Sequence, residues 1–333
     1  MSGNGEKITI SDIAEALGIS KTTVSRAISG KGRIGEDTVR RVQEYIKEHD
    51  YIPNPMAKGL ASQRTYNIAW IMPGDSYITD LPFFQRCMIG VTGEASAHDY
   101  DVIISLSYDE NNDSLERLLR NKKVDGIILG RTLIKDNRIE ALLNADIPFV
   151  AIGSCNYEGV VQIDNDHVKA CFELTDSLIK KGIRRIGLIG GTSDHVVNNS
   201  RLNGYMQALK ENKLDKSCGI FMDCESVTSV RRAVNDLLKA SCECIICMDD
   251  RICQQVLEYI KSLNMECPQD VRIASFYNSV LLDNIKPAVS AINYDPKELG
   301  IEACRVLLKM IDGKEVNEKT LLDYEILLRG STN

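Results

Sequence analysis

Along the first fifty residues, apolar positions recur at helical spacing. Ile13, Ala14 and Leu17 share one face of a segment that opens with Thr9-x-x-Asp12, the pattern of a capping box, and stops at Gly18. A second segment starts at Ser20, carries Val24, Ala27 and Ile28 on one face and closes at Gly30. A third runs from about Glu36 to His49 with Val39, Val42 and Ile46 inward. Two short helices about the tight Leu17-Gly18-Ile19-Ser20 connection, propped by a third, predict a helix-turn-helix domain over residues 1–52. Residues 53–65 form a linker in which Asn54 caps, and Pro55 starts, a brief helix weakened by Gly59.

From Asn67 onward the period changes. β-branched runs at 68–72, 101–105, 126–129, 149–152, 185–189, 244–248 and 272–275 read as strands. Amphipathic stretches at 84–98, 113–122, 165–181, 203–212, 228–239 and 251–263 read as helices between them. This alternation predicts parallel sheets with helices on both faces, and residues 66–333 are too many for one such unit. Two α/β lobes follow, with a ligand cleft between them or at the strand carboxyl ends. The expected first lobe spans 66–162 plus 292–315, and the second 163–291 plus 316–333.

Composition narrows the class. Of 333 residues 44% are apolar and 26% charged, which excludes wholesale disorder. The apolar runs fall far short of a bilayer span, and Met1–Ile10 has no apolar signal-peptide core, so a soluble, cytoplasmic protein without membrane partners is expected. Eleven cysteines include a C-x-x-C pair at Cys244 and Cys247, but no second ligand pair lies at zinc-finger distance and the segment alternates like a strand. Buried free thiols are the expectation, with no metal or cofactor. The net charge of −7 alone opposes a nucleic-acid partner, yet residues 1–65 hold ten Lys/Arg against eight Asp/Glu, and the remainder thirty against thirty-nine. Within Lys21–Arg41 six basic residues face two acidic ones, a basic head on an acidic body.

Lys21-Thr-Thr-Val-Ser-Arg26 carries the sharpest chemistry. On a helix after a tight turn, Lys21, Thr22, Ser25 and Arg26 project away from the Val24/Ile28 face. Arginine reads guanine edges with two donors, hydroxyls reach bases or phosphates, and a helix fits the major groove. A merely solvated polar face is the competing reading, and the flanking turn argues against it. Ile10-Ser-Asp-Ile-Ala-Glu-Ala-Leu-Gly-Ile-Ser-Lys-Thr-Thr-Val-Ser-Arg26, Gly30-Lys-Gly and Tyr51-Ile-Pro-Asn-Pro55 together resemble the lactose/galactose repressor family of bacterial regulators. Arg64-Thr-Tyr-Asn-Ile68, Val124-Asp-Gly-Ile-Ile128, Arg201-Leu-Asn-Gly-Tyr205 and Asp295-Pro-Lys-Glu-Leu-Gly300 extend the resemblance through the chain.

The resemblance implies an all-α helix-turn-helix head, a hinge helix that folds on DNA, and a two-lobed core like that of periplasmic sugar-binding proteins. It implies a homodimer on a near-palindromic double-stranded operator. The DNA-facing positions are then Thr9, Ser20, Lys21, Thr22, Thr23, Ser25, Arg26 and Lys31 in the head, with Asn54, Ala57, Lys58 and Leu60 in the hinge. Leu60 suits a minor-groove wedge, since an apolar side chain inserted at a base step unstacks it and bends the duplex. Lys58 replaces the family's more usual arginine, and Arg40, Arg41 and Lys31 are phosphate contacts or solvated charges.

For the core, the resemblance places an effector against Phe83, Phe84, Gly153, Arg201, Asp249, Asp250, Tyr277 and Asn278. A guanidinium suits vicinal hydroxyls, and a surface ion pair is the lesser, competing reading of Arg201. Phe83 and Phe84 stack on a ligand ring or pack in the core. Asp249 and Asp250 accept hydroxyl protons or cap the following helix, and Asp164-Asn165, at a lobe crossing, reads as structural. Gly153, Tyr277 and Asn278 stand where many sugar-responsive members carry acids. That combination is similar to the family's maltose-operon repressor branch in Gram-positive bacteria, which makes an α-glucoside such as maltose the leading effector.

Catalysis is not expected. Gly190-Gly-Thr-Ser-Asp194 lacks the spacing of a phosphate loop, and none of His49, His98, His167 and His195 sits in a motif with a nucleophile or metal ligands. A pure binding protein is opposed by the head. An activator, or a regulator that needs a protein corepressor, remains an alternative within the family.

Overall fold

The computed structural model describes residues 8–333, apart from 31, 50, 52–58, 60–61, 75–81, 109–111 and 215–217. Contacts divide the chain into two units, Met1–Thr65 and Tyr66–Asn333.

The first unit is built from helices α1 (Ile10–Leu17), α2 (Lys21–Ser29) and α3 (Glu36–Glu48). The capping box is present: the Asp12 N–H donates to Thr9 Oγ1, and the Thr9 N–H donates to Asp12 Oδ2 at 2.7 Å. The Thr9 N–H and hydroxyl, both donating to Asp12 Oδ2, hold this carboxyl below the usual carboxylate range. Ser20 caps α2 by accepting from the Thr23 N–H. Gly18 and Gly30 end their helices at φ 66° and 67°, the left-handed region that a side chain would strain. Ile13, Ala14, Val24, Ala27 and Val42 are the buried core.

The second unit holds two six-stranded sheets. β1 (Asn67–Pro73), β2 (Asp101–Ser107), β3 (Gly126–Leu129), β4 (Phe149–Ile152), β5 (Val161–Asn165) and β11 (Lys319–Leu322) form the first, in the order β11-β5-β4-β3-β1-β2 with all pairs parallel. β6 (Ile186–Ile189), β7 (Gly219–Phe221), β8 (Cys244–Cys247), β9 (Arg272–Ser275), β10 (Ser290–Asn293) and β12 (Glu325–Leu327) form the second, in the order β12-β10-β9-β8-β6-β7. Only β12 there runs antiparallel. The helices are α4 (Pro82–Ser96), α5 (Asp113–Arg120), α6 (Asn137–Asn144), α7 (His167–Lys180), α8 (Val196–Glu211), α9 (Val227–Lys239), α10 (Asp250–Ser262) and α11 (Pro296–Ile311). α11 packs on α4 so closely that a Cβ at Gly300 would lie 2.1 Å from the Cys87 carbonyl oxygen. Only glycine permits that approach.

The chain crosses between lobes three times, after β5, after β10 and between β11 and β12. The expected lobe limits shift accordingly. The 162/163 and 291/292 limits fall inside β5 and β10, and Lys319–Leu322, expected in the second lobe, pairs with β5 in the first. Its four residues precede another short strand with no helix between, so strand–helix alternation could not assign it. The cysteines are free and mostly buried, with Cys244 and Cys247 on a fully buried strand where burial pushes both thiols well up.

Candidate functional site

On the head, Lys21, Thr22, Ser25 and Arg26 are exposed along α2, opposite the buried Val24 and Ala27. The Arg26 side chain lies over Gly32, where a Cβ would come 3.4 Å from its Cδ. Thr9, Ser20 and Thr23 commit their hydroxyls locally: Thr9 and Ser20 cap helices, and Thr23 Oγ1 meets Ser20 Oγ at 2.8 Å. Arg41 donates from Nη2 to the Leu17 carbonyl at 3.0 Å, satisfying the end of α1, and Arg40 pairs with Asp37. Lys31 and the hinge positions Asn54, Ala57, Lys58 and Leu60 lie outside the described residues.

In the core, a cleft opens between the lobes at the carboxyl ends of their strands. Its apolar wall comes from Phe83 and Phe84 on α4 and Tyr277 after β9. Phe83 meets Phe84 and Tyr277 edge-on, with centroids 5.2 and 6.0 Å apart. Burial pushes the Tyr277 phenol far up, and Asp250 adds to the shift, so the hydroxyl keeps its proton.

Arg201 stands beside the aromatic wall, on α8, which begins seven residues earlier than the expected Asn203. Only 8% exposed, it donates from Nη1 to the Met248 carbonyl at 2.8 Å and lies 6.0 Å from the Tyr277 ring centroid. Its buried Nε has no hydrogen-bond acceptor among the described residues. Such a donor in a cleft is satisfied when a polar ligand arrives.

Asp249 and Asp250 divide their work. Asp249 caps α10 by accepting from the Ile252 N–H at 2.7 Å. Asp250 is buried, accepts from the Ser279 hydroxyl and the Arg251 N–H, and is pushed up to about 6 by burial and then by Asp249. Gly153 sits at φ 106°, and a Cβ there would lie 3.0 Å from Thr132 Oγ1. Any side chain at this position would be strained by this backbone.

Seven of the eight expected effector residues line one cleft; Asn278 does not. Its N–H donates to the Ile292 carbonyl and its Nδ2 to Asn293 Oδ1, so the side chain is directed along β10 rather than into the cleft. Sequence reasoning missed Arg131, Thr132, Thr192, His195, Asn198 and Glu225, all of which line it. Several follow β3 and β6 directly, a position that the carboxyl-end rule would have flagged.

The first lobe crossing, with Asp164 and His167, lines the cleft. Asp164 Oδ2 accepts from Ser154 Oγ at 2.9 Å, and Oδ1 accepts from the Asn165 N–H and meets His167 Nε2 at 3.2 Å. Burial pushes this carboxyl up, but His167 and the two hydrogen bonds outweigh it and hold it below the usual range. His167 Nδ1 meets Tyr294 Oη at 3.1 Å, and Asn165 Nδ2 donates to the Leu322 and Asp323 carbonyls. The three crossings are thus tied together by side chains of the first, and Asp164 lines the cleft as well.

Comparison with known proteins agrees with both parts. Residues 9–54 match the model of bacterial regulatory proteins of the lacI family, and residues 175–332 match that of a periplasmic binding protein-like domain. The HTH-type transcriptional regulator MalR of Streptococcus pneumoniae serotype 4 is 30% identical over 322 residues, spanning 94% of this chain and 95% of the relative. Among solved structures, the Lac repressor dimer bound to operator and the anti-inducer ONPF superposes with TM-score 0.80 at 19% identity, covering 98% of this chain and 99% of that one. The transcriptional regulator CelR–cellobiose complex gives 0.73 at 24% identity, covering 97% and 99%. With a helix-turn-helix head, a two-lobed core and a relative at this identity along nearly its whole length, the chain belongs to the lacI family of bacterial transcriptional regulators.

Proposed function

We propose that this chain is a dimeric repressor of carbohydrate-utilisation genes whose operator affinity falls when a neutral sugar, best an α-glucoside such as maltose, fills the cleft. The observation that carries this reading is the buried Arg201 Nε, without an acceptor, facing an aromatic wall. A pyranose ring offers an apolar face to Phe83, Phe84 and Tyr277 and hydroxyls to Arg201 and Asp250. A relative named MalR and a fold neighbour solved with cellobiose support the ligand class. A second copy of this chain is supported by the edge strand β2 and the adjacent α4, where Ile104, Leu106 and Ile89 are 53%, 40% and 57% exposed.

On DNA, α2 enters the major groove with Arg26 reading bases, and the hinge supplies Leu60 as a wedge. The coupling is reciprocal: sugar and operator each weaken the other's binding. Selection of random and genomic DNA by the purified protein at stated salt, followed by titration of the enriched site with maltose, tests the whole. A palindrome upstream of sugar-uptake or glycosidase genes, released by maltose, is expected. Operator affinity that saturating maltose leaves unchanged refutes the effector. Leu60→Ala weakens specific binding with the core folded, whereas Arg26→Ala relaxes base preference at one position per half-site.

A further inference from the structure

The two lobes touch across the cleft as well as at the three crossings. After β3 the chain forms a finger, Gly130–Arg138, and after β6 a second, Gly190–Val196. They meet in an antiparallel bridge between Leu133 and His195, where the Ile134 N–H donates to the Asp194 carbonyl at 3.0 Å and the Val196 N–H to the Thr132 carbonyl at 3.4 Å. We infer that this main-chain bridge is an interlobe latch that sets the fraction of molecules with a closed cleft.

Each finger is stiff before it meets the other. In the first, Asp136 accepts from the Leu133 N–H and takes both Nε and Nη2 of Arg138 at 2.7 Å, and Arg138 also donates to the Arg131 carbonyl. This ion pair is almost wholly buried, and the Asp136 N–H is held by Tyr157 Oη at 2.8 Å. In the second, Asp223 Oδ1 accepts from the N–H and hydroxyl of Ser193, while Asn198 and Asn199 donate to the Thr192 and Ser193 carbonyls. Two preorganised fingers lose little freedom on meeting, so the bridge's hydrogen bonds bias the lobes toward closure instead of ordering a loop.

Position makes that bias relevant to a ligand. Gly130, Arg131 and Thr132 on one side of the bridge and Gly191, Thr192 and His195 on the other all line the cleft. The pivot lies at the knot of Asp164, Asn165 and Tyr294 described above, and the bridge is a second tie between the same two lobes. A ligand that needs the closed arrangement is weakened in proportion to the fraction of closed molecules. The latch stands on these contacts alone; its consequence for operator binding rests on the function proposed above.

Val196 is the first residue of α8, where proline is tolerated, and His195 before it is already extended at φ −80°, ψ 124°. Val196→Pro therefore deletes one bridge donor and keeps the helix. In the full-length protein without ligand, hydrogen exchange of the Ile134 amide is expected to quicken about tenfold, the loss of one hydrogen bond of typical strength, with the amides in the middle of α8 unchanged. An unchanged Ile134 rate overturns the latch. As a second test, the pair Leu133→Cys and His195→Cys places two thiols at directly opposed positions whose flanking residues make the bonds, a spacing that a disulfide spans. Oxidised glutathione is expected to close the cross-link, two thiols giving up their hydrogens as it becomes two reduced molecules; peptide mapping reads the product. Failure to cross-link in the folded protein also overturns it.

The regulatory half is read separately. The cross-linked protein is expected to lose at least tenfold in operator affinity without ligand and to regain it on reduction, and unchanged affinity detaches the latch from regulation. Maltose binding to Val196→Pro is expected to weaken by up to the factor seen in exchange. If the unmodified protein does not bind maltose, the effector assignment fails while exchange and cross-linking still decide the latch.

Discussion

The head and the core bury their apolar residues on different scales. Ile13, Ala14, Val24, Ala27 and Val42 make up the buried core of the head, whereas in the second lobe one cluster runs from Ala170 to Tyr294 through both faces of a sheet. Their functional groups differ in the opposite sense. Lys21, Thr22, Ser25 and Arg26 stand in solvent and contribute little to folding, while Arg201 and Asp250 are taken out of water inside the cleft. A small core with an exposed reading face makes the head easy to unfold and easy to respecify; a large core around buried ions makes the other unit stable despite its site.

The comparison breaks first on core deletions. Trp70→Ala, at a fully buried position, is expected to destabilise the core by about 3–5 kcal/mol and leave the head's transition in place. Ile13→Ala should cost the head about 2–5 kcal/mol, on the order of all that so small a core supplies, and leave the core untouched. Calorimetry with hydrogen exchange over α1–α3 reads both, and a single transition shifted by either variant would end the separation.

Asp250 sharpens the contrast next. Its carboxyl is raised to about 6 from an ordinary 3.8, so folding favours the protonated form; stability is full below the ordinary value and is lost as pH rises through about 6. Asp250→Asn removes that loss, keeps an acceptor for Ser279, and is expected to stabilise the core by about 3 kcal/mol at pH 7 while weakening sugar binding. Urea melts at pH 4 and pH 7 check the sign, because the two proteins should converge at the lower pH.

His195 runs the other way. Burial lowers it to about 3, and the charges of Arg131 and Arg138 add to that, with Asp136 paired to Arg138 beside it. The neutral ring is favoured by folding, so stability is full above pH 6.5 and declines as pH falls, by about 2 kcal/mol between 6.5 and 5. His195→Gln should flatten that limb of the pH–stability curve, and an unaltered slope would assign the acid sensitivity elsewhere. The smallest effect belongs to the head: Ser20→Ala removes the acceptor for the Thr23 N–H and should cost about 1 kcal/mol, visible as a lower melting temperature of the head alone.

Legibility followed the same division. The head could be read almost residue by residue, because its caps, its Gly18 and Gly30 stops and its exposed face are local consequences of neighbouring residues. In the core, alternation found seven strands, β1–β4, β6, β8 and β9, and missed five: β5 and β10 interleave polar residues at the lobe crossings, and β7, β11 and β12 are three or four residues long and partly exposed. The cleft was legible where a side chain is chemically distinctive, as at Arg201, Phe83 and Asp250. Asn278 lies outside the cleft lining, with its Nδ2 held by Asn293 on β10. Thr132, Thr192 and His195 were missed because their place depends on where strands end, which three-dimensional pairing decides.

That last group has a consequence for divergence. The contacts joining Thr132, Leu133 and Ile134 to Asp194, His195 and Val196 are made by peptide groups, which every residue except proline supplies in full. Side chains around the cleft can therefore be exchanged one by one, altering which molecule is recognised, without rewriting the movement that recognition triggers. A descendant with a new diet would inherit the old switch intact.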